Sequence, residues 1–274
     1  MDLKFDTIYQ NWSEIFKNNV IDLNKVSFFD PWSLGMVCLK AIENKDNCEK
    51  SLILPSDARI IHYLKRMHLD EFMQGLTYSF FLGQFNNIDF TEHNNLNVQE
   101  ILHCEYRDEF NARLESRIRK IFKNFGMKDA DEQKATALVG ELGNNVFDHN
   151  EGVWSTDVRG AIIIIQNYPE IKKIEALVAD PGIGFFGSLR GIEPDPPLTD
   201  IDAIKLGLQG ISGRVGERRG NGLLLIQDWT INQFNGIIRI HSGSGLVVVD
   251  KNGQKESNVN KILGTLAEFV VLYK

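Results

Sequence analysis

Glu141-Leu-Gly-Asn-Asn145-Val-Phe-Asp-His149 is the stretch on which the fold turns. Its polar members Glu141, Asn145 and His149 recur at i, i+4 and i+8. On an α-helix, successive members of such a series rotate by only ~40°, so all three share one face. The surrounding pattern predicts a helix from about Glu132 to Asp148, with Asp129 or Asp131 near its start. Working outward, an earlier helix carries Phe110, Leu114, Ile118, Ile121 and Phe125 on one side. Two apolar strands follow, RGAIIIIQ (Arg159–Gln166) and IEALVA (Ile174–Ala179). Directly after the second comes Asp180-Pro-Gly182-Ile-Gly184, and a glycine-rich segment without strong periodicity fills Pro181–Gly222. Gly220-Asn-Gly222-Leu223 opens a helix expected over Leu223–Phe234, and three strands close the chain: Ile237–His241, Leu246–Asp250 and Thr265–Leu272. The last begins at Gly264-Thr265. Each motif alone has a bland reading: a polar helix face is usually solvated, and glycine pairs usually serve turns.

Taken together and in this order, the four motifs resemble those of the GHKL superfamily of ATP-binding domains, which includes the anti-sigma-factor kinases. Glu141/Asn145/His149 resemble its N box, Asp180/Gly182/Gly184 its first Gly box, Gly220/Gly222 its second, and Gly264-Thr265 its last motif. The resemblance covers roughly residues 110–274. It implies a Bergerat fold, an α+β sandwich whose mixed, mostly antiparallel sheet is backed by helices with ATP held between them.

The residue types suit that implication. No GxxxxGK[ST] is present, so the P-loop solution to phosphate binding is absent. Asn145 offers a neutral amide oxygen suited to Mg2+, which takes few protein ligands. Glu141, one turn earlier, is placed to accept a proton from an attacking water or hydroxyl and is the catalytic candidate. Asp180 can accept a hydrogen bond from an exocyclic amino group, selecting adenine over guanine. Gly182 and Gly184 permit close backbone approach, and Gly220, Gly222 and Leu223 stand at a helix start that favours phosphate. Thr265 completes the ATP-binding set. Phe185–Gly220, with seven glycines, is expected to form a lid, from which Arg214, Arg218 or Arg219 either clamps the γ-phosphate or faces solvent. His149 either touches phosphate or is a satisfied helix-end histidine.

Upstream, Lys25–Phe29 is a β-prone run broken by Asp30-Pro31. Leu34, Val37, Cys38, Ala41 and Ile42 form a helical stripe, Ser51–Leu54 a buried strand, and Ile60, Ile61, Leu64 and Met67 a second amphipathic helix. This order resembles a STAS domain, the fold of anti-anti-sigma factors, and divides the chain into a STAS-like α/β unit (1–83), an Asn-rich inter-domain region without clear periodicity (84–109) and the ATP-binding unit (110–274). STAS regulators accept phosphate on a serine just after the turn aspartate. Here Pro31 and Trp32 intervene, so Ser33 is expected to be an N-cap and the unit to serve docking.

Composition limits the function. The 274 residues carry a net charge of −7, which disfavours nucleic-acid binding. No apolar run approaches the ~20 residues of a membrane span. Cys38, Cys48 and Cys104 fit neither a disulfide framework nor a CxxC zinc site, so a reduced, cytoplasmic setting is expected. The reading is an ATP- and Mg2+-dependent regulatory protein: an ATPase, or a serine/threonine protein kinase acting on a partner, the partner being a STAS-like or sigma/anti-sigma-type regulator. The alternative is a non-catalytic ATP-binding switch whose lid ordering controls partner binding. A homodimer is open to either.

Overall fold

In the computed structural model, which describes residues 1–78, 85, 97–191, 196–212 and 220–273, the chain is an α/β protein built around a seven-stranded, wholly antiparallel sheet. The N-terminal part supplies strand β1 (Asp2–Leu3), helices α1 (Phe5–Ile8) and α2 (Trp12–Ile15), and strands β2 (Phe16–Lys17), β3 (Val20–Asp22) and β4 (Phe28–Phe29). Helix α3 (Pro31–Glu43), strand β5 (Ser51–Ile53) and helices α4 (Ala58–Arg66) and α5 (Leu69–Gly75) follow. β1 pairs with β4 in parallel, and β2-β3-β5 form a small mixed sheet.

The large sheet comprises β6 (Val98–Cys104), β7 (Ala161–Tyr168), β8 (Lys173–Asp180), β9 (Ile237–Ser242), β10 (Gly245–Asp250), β11 (Gly253–Asn258) and β12 (Thr265–Leu272). Its order is β11-β10-β9-β12-β8-β7-β6. Helices α6 (Ala112–Asn124), α7 (Asp129–Asn150), α8 (Gly184–Leu189), α9 (Asp200–Leu208) and α10 (Gly222–Asp228), the last extended by a π-helical turn at Trp229–Gln233, complete the chain. Among the described residues no helix is long and apolar enough to cross a membrane.

The period of two along each strand divides the sheet between two cores. Ala161, Ile163, Ile165, Ala176, Val178, Ala267 and Phe269 join the helices α6, α7 and α9. Ile162, Ile164, Leu177, Ala179 and Leu266 join the N-terminal residues. Both faces are therefore covered, which is why the central strands read as unbroken apolar runs. Helix α3 lies directly on the second face: a Cβ on Gly35 would stand 2.2 Å from Leu177 Cδ2 and 2.9 Å from Leu266 Cδ2. Trp32 Nε1 donates to the Tyr9 hydroxyl, which in turn bonds His241 Nδ1 at 3.1 Å.

Three details depart from the sequence reading. Asp30, not Ser33, caps α3: its carboxylate accepts from the Ser33 and Phe5 amides at 2.8 and 2.7 Å. Ser33 occupies the third helical position, fully buried, with its hydroxyl donating to the Leu3 carbonyl at 2.7 Å. That hydroxyl has no access to a phosphate donor. Within the stretch read as inter-domain, Val98–Cys104 is an edge strand paired with β7, its alternation obscured by an irregularity between Gln99 and Leu102. The glycine-rich segment also contains two helices, α8 and α9, the latter started by a Thr199/Asp202 capping box.

Candidate functional site

Strand register assembles the floor of the site. Thr265, the first residue of β12, sits opposite both Asp180, the last of β8, and Ser242, the last of β9. The three lie in one row at one end of the sheet, on the face that α7 covers. Gly264 makes the row possible: its φ is +69°, and a Cβ there would stand 1.8 Å from the Asp180 carbonyl oxygen. Above the row a narrow cleft with about 80 Å3 of free room opens between sheet and helices. Of the motif residues, Asn145, His149, Asp180, Gly184, Leu223 and Thr265 line it, and its apolar walls include Val178, Phe185 and Ala267.

Of the three helix-motif residues, the structure brings two to the cleft, and Glu141 instead lines a separate depression beside α6. Asn145 and His149 face the cleft, and Glu141, one turn before Asn145, faces α10. A Cβ on Gly222 would stand 2.6 Å from Glu141 Oε2 and 3.9 Å from Asn145 Nδ2. The missing side chain thus lets the start of α10 approach both polar groups. Neither Glu141 nor the Asn145 amide has a hydrogen-bond partner among the described residues. His149 Nδ1 lies 2.9 Å from the Ser188 hydroxyl on α8. Gly220 packs against the Gly210 carbonyl, 1.9 Å from where its Cβ would be. Arg214, Arg218 and Arg219 lie outside the described residues.

Asp180 lines the cleft. It is buried, and burial pushes its carboxyl up to about 7 against the opposing pull of hydrogen bonds from the Gly182 amide and Asn150. Both donors reach the same oxygen: Gly182 N at 2.9 Å and Asn150 Nδ2 at 3.1 Å from Oδ1. Gly182 is required here, since a Cβ would fall 2.0 Å from Asn150 Oδ1. Gly184, with φ +69°, passes beside Ser242, whose hydroxyl accepts from the Phe185 amide at 3.0 Å.

Asn150, Ser188 and Ser242 belong to this site and were not found in the sequence. Asn150 follows His149 directly, and Ser242 ends a strand, but only their tertiary partners assign them a role. Among the described residues no cluster of three or more His, Cys, Asp or Glu could hold a metal by itself. A cation here would need ligands from a bound anion, and the unpartnered Asn145 amide oxygen is of the neutral, hard type such a shared site uses. Compared with family models, with curated proteins and with solved structures, the chain matches none.

Proposed function

We propose that the chain is an ATP- and Mg2+-dependent regulatory protein of the GHKL type, acting as an ATPase or as a serine/threonine protein kinase on a protein partner. The observation that carries the reading is the recessed Asp180–Thr265 pair at the floor of an apolar cleft, with Asn145 and Glu141 on successive turns of the helix above it. An apolar slot with one buried acceptor suits a purine bearing an amino group. Asn145 would hold Mg2+ together with phosphate oxygens, and the ion when bound would offset charge on the phosphates.

Glu141 takes the proton of the attacking hydroxyl as its oxygen bonds the γ-phosphorus and the bond to the β-phosphate oxygen breaks, leaving ADP. The acceptor is a partner's Ser or Thr in the kinase reading and water in the ATPase reading. Gly222 lets the start of α10 pack close beside Glu141, a site where a side chain would crowd the carboxylate. Ser33 is not the acceptor, being buried with its hydroxyl bonded to the Leu3 carbonyl of β1. A STAS-like or sigma/anti-sigma-type regulator is the partner this reading expects, in a partner-switching system.

The test is incubation with γ-labelled ATP and Mg2+, with and without cell extract, for wild type and Glu141→Gln. Label should reach phosphate or a protein, and the variant should lose about a hundredfold in turnover while binding ATP as before. Tight binding with no turnover in wild type would assign the chain to the ATP-binding switches instead. Absence of ATP binding would overturn the proposal.

A further inference from the structure

Asn150 is a buried amide whose hydrogen bonds join three elements. Its Oδ1 accepts from the Ile183 amide at 2.8 Å, which fixes the side chain's orientation. Its Nδ2 donates to the Val146 carbonyl at 2.8 Å and to Asp180 Oδ1 at 3.1 Å. With the Gly182 amide on the same oxygen, Oδ1 of Asp180 is saturated. Oδ2 takes no hydrogen bond from the described residues and is the oxygen left for a ligand in the cleft.

Among the described residues, no cation is bonded to Asp180. Around Asp180 stand Asn150 and His149 from α7, Thr265 from β12, Ser242 from β9, and Gly182 from the segment after β8. Among the described residues lining the cleft, His149 is the other titratable side chain. Asn150 is thus the side-chain donor that favours the ionised form of Asp180.

We propose that Asn150 is a positioning residue that sets purine selectivity: by donating to Asp180 Oδ1 it keeps Oδ2 an acceptor, so that the cleft takes a base whose 6-position donates rather than one whose 6-position accepts. The inference rests on the nucleotide-binding reading above and deepens it. A carboxylate accepts from the 6-amino group of adenine. A protonated carboxyl, by contrast, donates to the 6-oxo group of hypoxanthine or guanine. The burial that already draws the Asp180 carboxyl up to about 7 makes the balance sensitive to the loss of one donor.

The test compares Mg·ATP with Mg·ITP, which differ at the 6-position, by calorimetric titration between pH 6 and 8. Wild type should prefer ATP, with the preference growing as pH rises. Asn150→Asp keeps the acceptor for the Ile183 amide but sets a second carboxyl 3.1 Å from the first, so the pair retains a proton. Its ATP:ITP preference should fall about tenfold or more at pH 7, and its pH profile should move upward by about a unit or more. Asn150→Ala, which adds no charge, should shift the same quantities in the same direction by less, and serves if the aspartate variant does not fold. An unchanged ATP:ITP ratio and pH profile in a folded variant would overturn the proposal and leave Asn150 a structural clip. Wild type that binds neither nucleotide would overturn the nucleotide reading itself, and one that binds both equally would overturn only the role of Asn150.

Discussion

Gly35→Ala measures whether the N-terminal residues are a fixed layer of the protein or a separate docking unit, because the two cases give effects of opposite sign. On a free, solvated helix face, replacing glycine by alanine stabilises by about 1 kcal/mol through helix propensity. In this structure the new Cβ would stand 2.2 Å from Leu177 Cδ2 and 2.9 Å from Leu266 Cδ2, where ordinary contact begins at 3.4 Å. Both leucines are fully buried, so neither methyl can swing into solvent. Forcing a methyl into such a core costs about 1–3 kcal/mol, occasionally more. With neither leucine able to yield, the upper part of that range applies, and a net loss of up to about 2 kcal/mol is expected. For a chain of this size that corresponds to a fall in Tm of up to roughly 8 °C. Thermal unfolding followed by circular dichroism, with a urea midpoint to check that the slope is unchanged, reads it directly. A rise in Tm would refute the packing of α3 on the sheet.

Gly264→Ala should be harsher, since φ of +69° and a Cβ 1.8 Å from the Asp180 carbonyl oppose it together. A loss of about 2 kcal/mol or more, with nucleotide binding abolished in whatever folds, is expected in unfolding and titration experiments. Stability should also fall as pH rises. Burial raises Asp180 from its ordinary 3.8 to about 7, and burial beside Glu175 and Asp30 raises Glu268 from 4.5 to about 8. The native state thus holds these protons more tightly than the unfolded chain. Their contribution is complete below about pH 4 and is lost as pH climbs through 7 and 8. Each retained proton contributes a slope of up to about 1.4 kcal/mol per pH unit. Glu268→Gln should flatten the decline between pH 5 and 8 in a Tm series; an unchanged slope would place the retained proton elsewhere.

The helix that carries Glu141, Asn145 and His149 was legible because it depends on nothing beyond its own period. Strands β7 and β8 were legible as apolar runs, and the motif order alone suggested that residues from 141 to 265 converge. What could not be read were features that owe their form to partners. Strand β11 is polar and exposed along its whole length, so no apolar pattern marks it, although Asn252-Gly253 supplies a turn. Helix α8 is short and starts at a glycine, and β6 loses its alternation at a bulge. Asn150 reads as one more polar residue at a helix end until Asp180 and Ile183 arrive from a different element. The layered N-terminal part did carry a signal: Trp32, Met36 and Leu39 lie off the Leu34/Val37/Cys38 stripe and are equally buried. A helix apolar on every side belongs between two layers.

That layering bears on the site, because the two faces of a strand cannot move independently. Leu177 and Leu266, against which Gly35 packs, alternate with Val178 and Ala267, which wall the cleft. The same two strands end, or begin, at Asp180 and Thr265. On the N-terminal face several inward positions are charged: Arg239 bonds Glu268 at 2.6 Å and stacks on Phe5, while Glu175 takes Lys173 at 2.9 Å and the Tyr168 hydroxyl at 2.8 Å. Such a cluster is costly to bury and costlier to break, since removing one partner strands another without water. Residues 1–43 therefore hold the reverse side of the strands in one register, and with it the spacing between the Asp180 carboxylate and the helix that carries Asn145. The N-terminal layer is in this sense part of the machinery of the cleft, although no atom of it lines the opening.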